Sequence, residues 1–165
     1  MEMVVSVYLS RPYIRCMTLK ENLFQQCVAS VNYRLQNIQD TILSHQKALS
    51  SETKSSAGDK HETGRAMLQL EMEKAGQQLG SIQQMKETLA KVDVSKKTTV
   101  GSLGTIIETN QGVYFLSISA GQLAVGGNVY FAISVSSPIG QLLLGKKVGD
   151  VLRWNEKEIN IKKIS

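Results

Sequence analysis

Aromatic residues are scarce in this 165-residue chain, with five tyrosines, three phenylalanines and one tryptophan. Prolines are scarcer. Pro12 and Pro138 stand alone, so 125 consecutive residues between them escape the strongest helix breaker. Only Cys16 and Cys27 carry thiols, too few for a disulfide framework and in keeping with a reduced, cytoplasmic setting. No apolar run approaches the ~18–20 residues that a membrane span requires, so a soluble protein without a membrane partner is expected. Charge of one sign is modest as well. The formal net charge is +5, with 11 Lys/Arg against 10 Asp/Glu up to residue 95 and 8 against 4 beyond it. That balance lacks the dense basic stripe by which nucleic-acid binders announce themselves. The chain also has no Gly-rich phosphate loop, no zinc-ligand spacing and no Ser/His/Asp or Cys/His arrangement.

What is present begins after the first sixteen residues. Met3–Leu9 is too short an apolar core for a signal peptide and is preceded by Glu2 rather than a basic start. Residues 1–16 are therefore expected to be a loose extension, or Met17 the natural start. Thr18 and Glu21 then have the spacing of a capping box, which predicts a helix start.

From there the apolar positions fall on a heptad. Phe24, Val31, Ile38 and His45 form one series and Val28, Leu35, Ile42 and Leu49 the other, the seam of a coiled coil. A second helix shows Leu68, Ala75, Ile82 and Leu89 interleaved with Met72 and Leu79, then slips to Met85 and Val92. Gly76 and Gly80 lower its helix propensity by roughly 1 kcal/mol each and are expected to permit close helix approach. The polar stretch 50–58 between the helices reads as a turn. Two matched helices joined by a short polar loop predict an antiparallel coiled-coil hairpin over residues 17–94, its tip near 50–62 and its length roughly 45 Å. His45 on the seam is expected to be a polar residue that specifies register.

A small α+β domain should follow over residues 95–165. Thr105–Glu108 and Val113–Leu116 flank a hairpin turn, Val129–Val135, Val151–Trp154 and the Ile159/Ile161 alternation read as strands, and Pro138 opens a short helix closed by Gly145. The fold class expected is thus α+β, a helical hairpin followed by five strands and one helix.

Chemistry is concentrated at the tip, in Gly58-Asp59-Lys60-His61-Glu62. Asp59 and Glu62 are three residues apart and share one side of a first helical turn. The plain reading is an N-cap with its capping-box partner. The sharper one is a pair of carboxylates delivered by a long arm to a metal in another protein's active site, and the two are compatible. Taken with Ser137-Pro138-Ile139-Gly140 and Leu144-Gly145-Lys146-Lys147-Val148-Gly149-Asp150, this tip resembles the GreA/GreB family of bacterial transcript cleavage factors, in the same order over residues 17–165.

The resemblance implies an arm that enters the secondary channel of RNA polymerase and an FKBP-like C-terminal domain that docks at the channel's outer rim through Ser137 and Pro138. It implies that Asp59 and Glu62 are the acidic pair that helps hold the polymerase's second catalytic Mg²⁺ against a backtracked RNA 3′ end. Mg²⁺ takes oxygen ligands and retains waters, and two-metal hydrolysis needs the second ion to activate water. On this reading the chain holds no cofactor alone, takes no small-molecule substrate and is not itself an enzyme but stimulates the polymerase's own endonuclease. Lys54, Lys60 and Arg65 would steady RNA phosphates. The tip also departs from the family. Thr63-Gly64-Arg65-Ala66 stands where Asn, Ala, Glu and Tyr are usual, and Ser136 where some members have Asp. Two alternatives stay open: a secondary-channel regulator that inhibits or modulates transcription without cleavage, and a coiled-coil interaction module unconnected with polymerase.

Overall fold

A computed structural model describes residues 17–52 and 59–165, and side chains from 62 onward in the second helix. The expectations for residues 1–16 and for Lys54 lie outside the described residues. Two long helices come first, α1 over Leu19–Glu52 and α2 over Asp59–Ala90. With 34 residues, α1 extends roughly 50 Å. It starts as the capping box predicts: Thr18 N donates to Glu21 Oε2 at 2.7 Å, and Glu21 N donates to Thr18 Oγ1 at 3.2 Å.

The heptad reading of the arm is realised in its packing. Val31, Ile38, Ala75, Ile82 and Leu89 are buried, with Phe24, Val28, Leu35, Ile42, Leu79, Met85 and Val92 packed against them. The register slip at Met85 is real, and Arg34 Nη1 donates to the Met85 sulfur at 3.5 Å. Nearer the tip, His45 Nε2 lies 3.6 Å from Glu71 Oε2, a polar cross-helix pair at the seam position. One expectation fails. Gly76 and Gly80 are exposed, and a Cβ at either would meet nothing within 4 Å, so they face away from α1 and mediate no close approach. Their small size suits an interface, but the seam passes through Ala75 and Leu79.

Beyond α2 the chain forms β1 (Ile106–Thr109), β2 (Val113–Ser117), β3 (Gly121–Val125), β4 (Asn128–Ser134), α3 (Pro138–Leu143), β5 (Val151–Trp154) and β6 (Lys157–Ile164). They make one mixed, open six-stranded sheet in the order β3-β4-β2-β1-β6-β5. Neighbours are antiparallel except β2 and β4, which run parallel with Phe115 opposite Ala132. β3 is a sixth strand beyond the five expected. It opens on a glycine and is half exposed, so alternation is weak. The informative signal was the two-residue Gly126-Gly127 connection, whose φ values of 59° and 81° match the hairpin turn joining Val125 to Asn128.

The sheet buries both faces. One carries Ile106, Phe115, Ile118, Leu123, Tyr130 and Ala132, in the same cluster as Leu23 and Cys27 of α1. The other carries Ile107, Leu116, Leu152, Ile159 and Ile161, closed by Leu143 of α3. The base of the arm is therefore part of the sheet domain's core.

Candidate functional site

Ser137 organises the loop that precedes α3. Its Oγ accepts from Gly140 N at 3.1 Å as an N-cap and donates to Ser134 O at 2.6 Å. Ser136 N donates to Ser134 Oγ at 3.1 Å. Gly140 is buried, and a Cβ there would run into the Ser134 carbonyl, so the loop closes this tightly only with glycine. Pro138, at the first helical position where its missing N–H is no loss, is left exposed. Ser137 and Pro138 thus stand together on a rigid, solvent-facing turn.

After α3 the Lys-Lys-Val-Gly-Asp segment forms a second closed turn. Lys147 N donates to Asp150 Oδ2 at 2.9 Å and Asp150 N to Lys147 O at 3.1 Å. Leu144, Val148 and Val151 around it are exposed apolar side chains.

The serine loop also borders the arm. Ser134 and Ser136 line a polar cleft of about 190 Å³ together with Ser81, Gln84 and Thr88 of α2. A partner surface that reached the Ser-Pro turn would meet the root of the arm at the same time.

At the far end, α2 counts Asp59 as its first helical residue, with Glu62 one turn on and exposed. Arg65 follows on the same helix, also exposed. The side chains of Asp59 and Lys60 lie outside the described residues, so the convergence of the two carboxylates and the cap expected at Asp59 rest on helical spacing alone. Among the described residues, no group of three or more His, Cys, Asp or Glu side chains is placed to hold a metal ion.

Sequence reasoning passed over the joint between arm and sheet. Leu23 and Cys27 are fully buried, and Cys27 Sγ lies 3.6 Å from Ser117 Oγ on β2. The signal was there: both precede a heptad residue by one position, widening the apolar face at the first turns of α1 only.

Fold and turn geometry define a two-stranded arm rooted in a mixed sheet domain that presents a rigid Ser-Pro turn beside the root. Residues 123–165 match the family described as transcription elongation factor, GreA/GreB, C-term. The likeness to the GreA/GreB family is thus shown for this C-terminal segment. The arm lies outside the matched residues. No curated protein matches the chain. A solved structure titled "Structure of the transcription factor Gfh1" is similar over 81% of this chain and 90% of that one, at 20% identity and a TM-score of 0.31, a likeness too slight to bear on function.

Proposed function

We propose that this chain is a secondary-channel regulator of bacterial RNA polymerase that modulates transcription without promoting RNA cleavage. The observation that carries the reading is the family match, which takes in both Ser137-Pro138 and the Leu144–Asp150 segment. In this reading residues 95–165 are an FKBP-like docking domain at the channel rim, in the cytoplasm with the polymerase, and residues 17–94 are the arm that enters. The cleft shared by Ser136 and the root of α2 supports it, because docking by the turn then aligns the arm with the same partner surface.

The tip favours modulation over cleavage. Arg65 stands where the resembling factors carry an acid, and its charge opposes recruitment of a divalent cation beside Asp59 and Glu62. Cleavage stimulation is the second reading, favoured by the Asp59/Glu62 spacing. Two carboxylates suit Mg²⁺, with the remaining ligands coming from the polymerase, RNA and water. Lys54, Lys60 and Arg65 would then lie along the RNA phosphates.

Purified protein added to backtracked elongation complexes tests both. Binding at the channel with altered transcript synthesis and no shortening of RNA from its 3′ end supports regulation. Mg²⁺-dependent shortening abolished by Asp59→Ala and Glu62→Ala establishes cleavage instead. Absence of binding leaves a coiled-coil module that acts elsewhere.

A further inference from the structure

The arm is held to the sheet by α1 itself, and most of that hold is apolar. Leu23 and Cys27 sit in the core beside Phe115, Ile118, Leu123 and Tyr130. The hydrophobic drive is itself non-directional, so the fine setting of the helix's angle falls to side-chain packing and to directional bonds. Packing does not wedge the first turn. A cavity of about 530 Å³ lies against Leu19 and Lys20 toward residues 94–98, and another of about 400 Å³ lies against Leu19 toward Val113 and Asn128.

Beside the long Cys27–Ser117 hydrogen bond at 3.6 Å, directional restraint comes from Gln26. Its Nε2 donates to Ala124 O at 3.0 Å and to Asn22 Oδ1, one helical turn back, at 2.8 Å. Ala124 is on β3, the last strand on its side of the sheet, so this amide takes the place of a neighbouring strand at that carbonyl. Asn22 holds the amide so that its second hydrogen points at the strand. At the other end of the joint, Lys20 Nζ donates to Lys96 O at 2.8 Å. Partial burial lowers the Lys20 pKa, and the charge of Asp93 opposes that shift.

Small angles matter here because the arm is a lever. From Gln26 to Glu52 the helix runs roughly 39 Å, so a tilt of about 10° carries the tip some ~7 Å. Groups that act at a reaction centre tolerate displacements of only about 1 Å.

We propose that Gln26 is a positioning residue, which sets the angle between arm and sheet domain through its amide bond to the Ala124 carbonyl. The geometric claim stands on the joint alone; its consequence in transcription rests on the secondary-channel reading.

The test uses the full chain with Cys16→Ser, Ser44→Cys and Lys162→Cys, spin-labelled at the two exposed new thiols while buried Cys27 stays unlabelled. Gln26→Met keeps length and apolar packing but loses the donor; Gln26→Lys keeps a donor, one bond further out. The distance distribution is expected to widen about twofold in Gln26→Met and to stay narrow in Gln26→Lys. A Gln26→Met distribution equal to the parent's, or a Gln26→Lys one as broad as Gln26→Met, overturns the proposal. Asn22→Ala, which frees the Gln26 amide, should widen it to an intermediate degree and serves if Gln26→Met does not fold; no change in Asn22→Ala then overturns the proposal. With polymerase, Gln26→Met should bind within about threefold of the parent yet lose about tenfold in its effect on transcription, with Gln26→Lys restoring it. If no form binds polymerase, the secondary-channel reading fails and the distance measurement still decides the joint.

Discussion

Cys27 Sγ lies 3.6 Å from Ser117 Oγ, a thiol on the arm against a hydroxyl on the sheet, both closed to water. Burial pushes the Cys27 pKa up, and the Ser117 hydrogen bond opposes this only in part.

Two consequences follow for the thiol. It should react slowly with alkylating reagents at neutral pH, because little thiolate forms and reagent must wait for the joint to open. Above the ordinary thiol value of 9.0 the unfolded chain loses its proton while the folded chain keeps it. The stabilisation is thus complete below that value and is lost as pH rises through the raised folded value. Denaturant midpoints measured from about pH 8 to pH 11 should fall more steeply for the natural chain than for Cys27→Ala. Parallel slopes would mean that the thiol is not desolvated.

The glycines should divide sharply on substitution by alanine. At Gly140 a Cβ meets the Ser134 backbone oxygen, and Gly140→Ala should cost about 2 kcal/mol or more by thermal or denaturant melts. Gly76→Ala and Gly80→Ala meet nothing and fill exposed helix interior, so each should raise stability by up to ~1 kcal/mol.

Ser137→Ala removes the N-cap of α3 and the bond to Ser134 O. A loss of about 1 kcal/mol in stability is expected. On the secondary-channel reading, a larger proportional loss in polymerase affinity, measured on the same preparation, would separate docking from folding.

Along the arm, the buried seam should outweigh the polar pair. Ile82→Ala should cost about 2–5 kcal/mol, since Ile82 is 6% exposed. Glu71→Gln, which acts on a partly exposed pair at 3.6 Å, should cost less than about 1 kcal/mol. Its effect is better sought in helix register, by cross-linking cysteines placed at Ser44 and Lys74.

Much of this architecture was legible because it is written in local patterns. Thr18 and Glu21 marked a helix start from their spacing, and Pro138 with Gly145 bracketed α3. The turn at residues 109–112 joined two strands. Each is decided within a few residues by hydrogen-bond geometry that needs no distant partner. β3 escaped because its stability comes from pairing with β4 rather than from its own composition. Gly76 and Gly80 misled because small size is compatible with an interface and with an open surface alike.

The candidate site divides the same way. By itself the sequence determined the heptad seam, the acidic spacing of Asp59 and Glu62, and the Ser-Pro turn, since periodicity and caps are short-range. Only the tertiary structure decided that Gln26 reaches Ala124, that Cys27 meets Ser117, and that Ser136 shares a cleft with Ser81. Those juxtapositions bring together residues 98, 90 and 55 positions apart. Nothing local encodes them; they exist because burial of Leu23 and Cys27 brings the root of the arm onto the sheet.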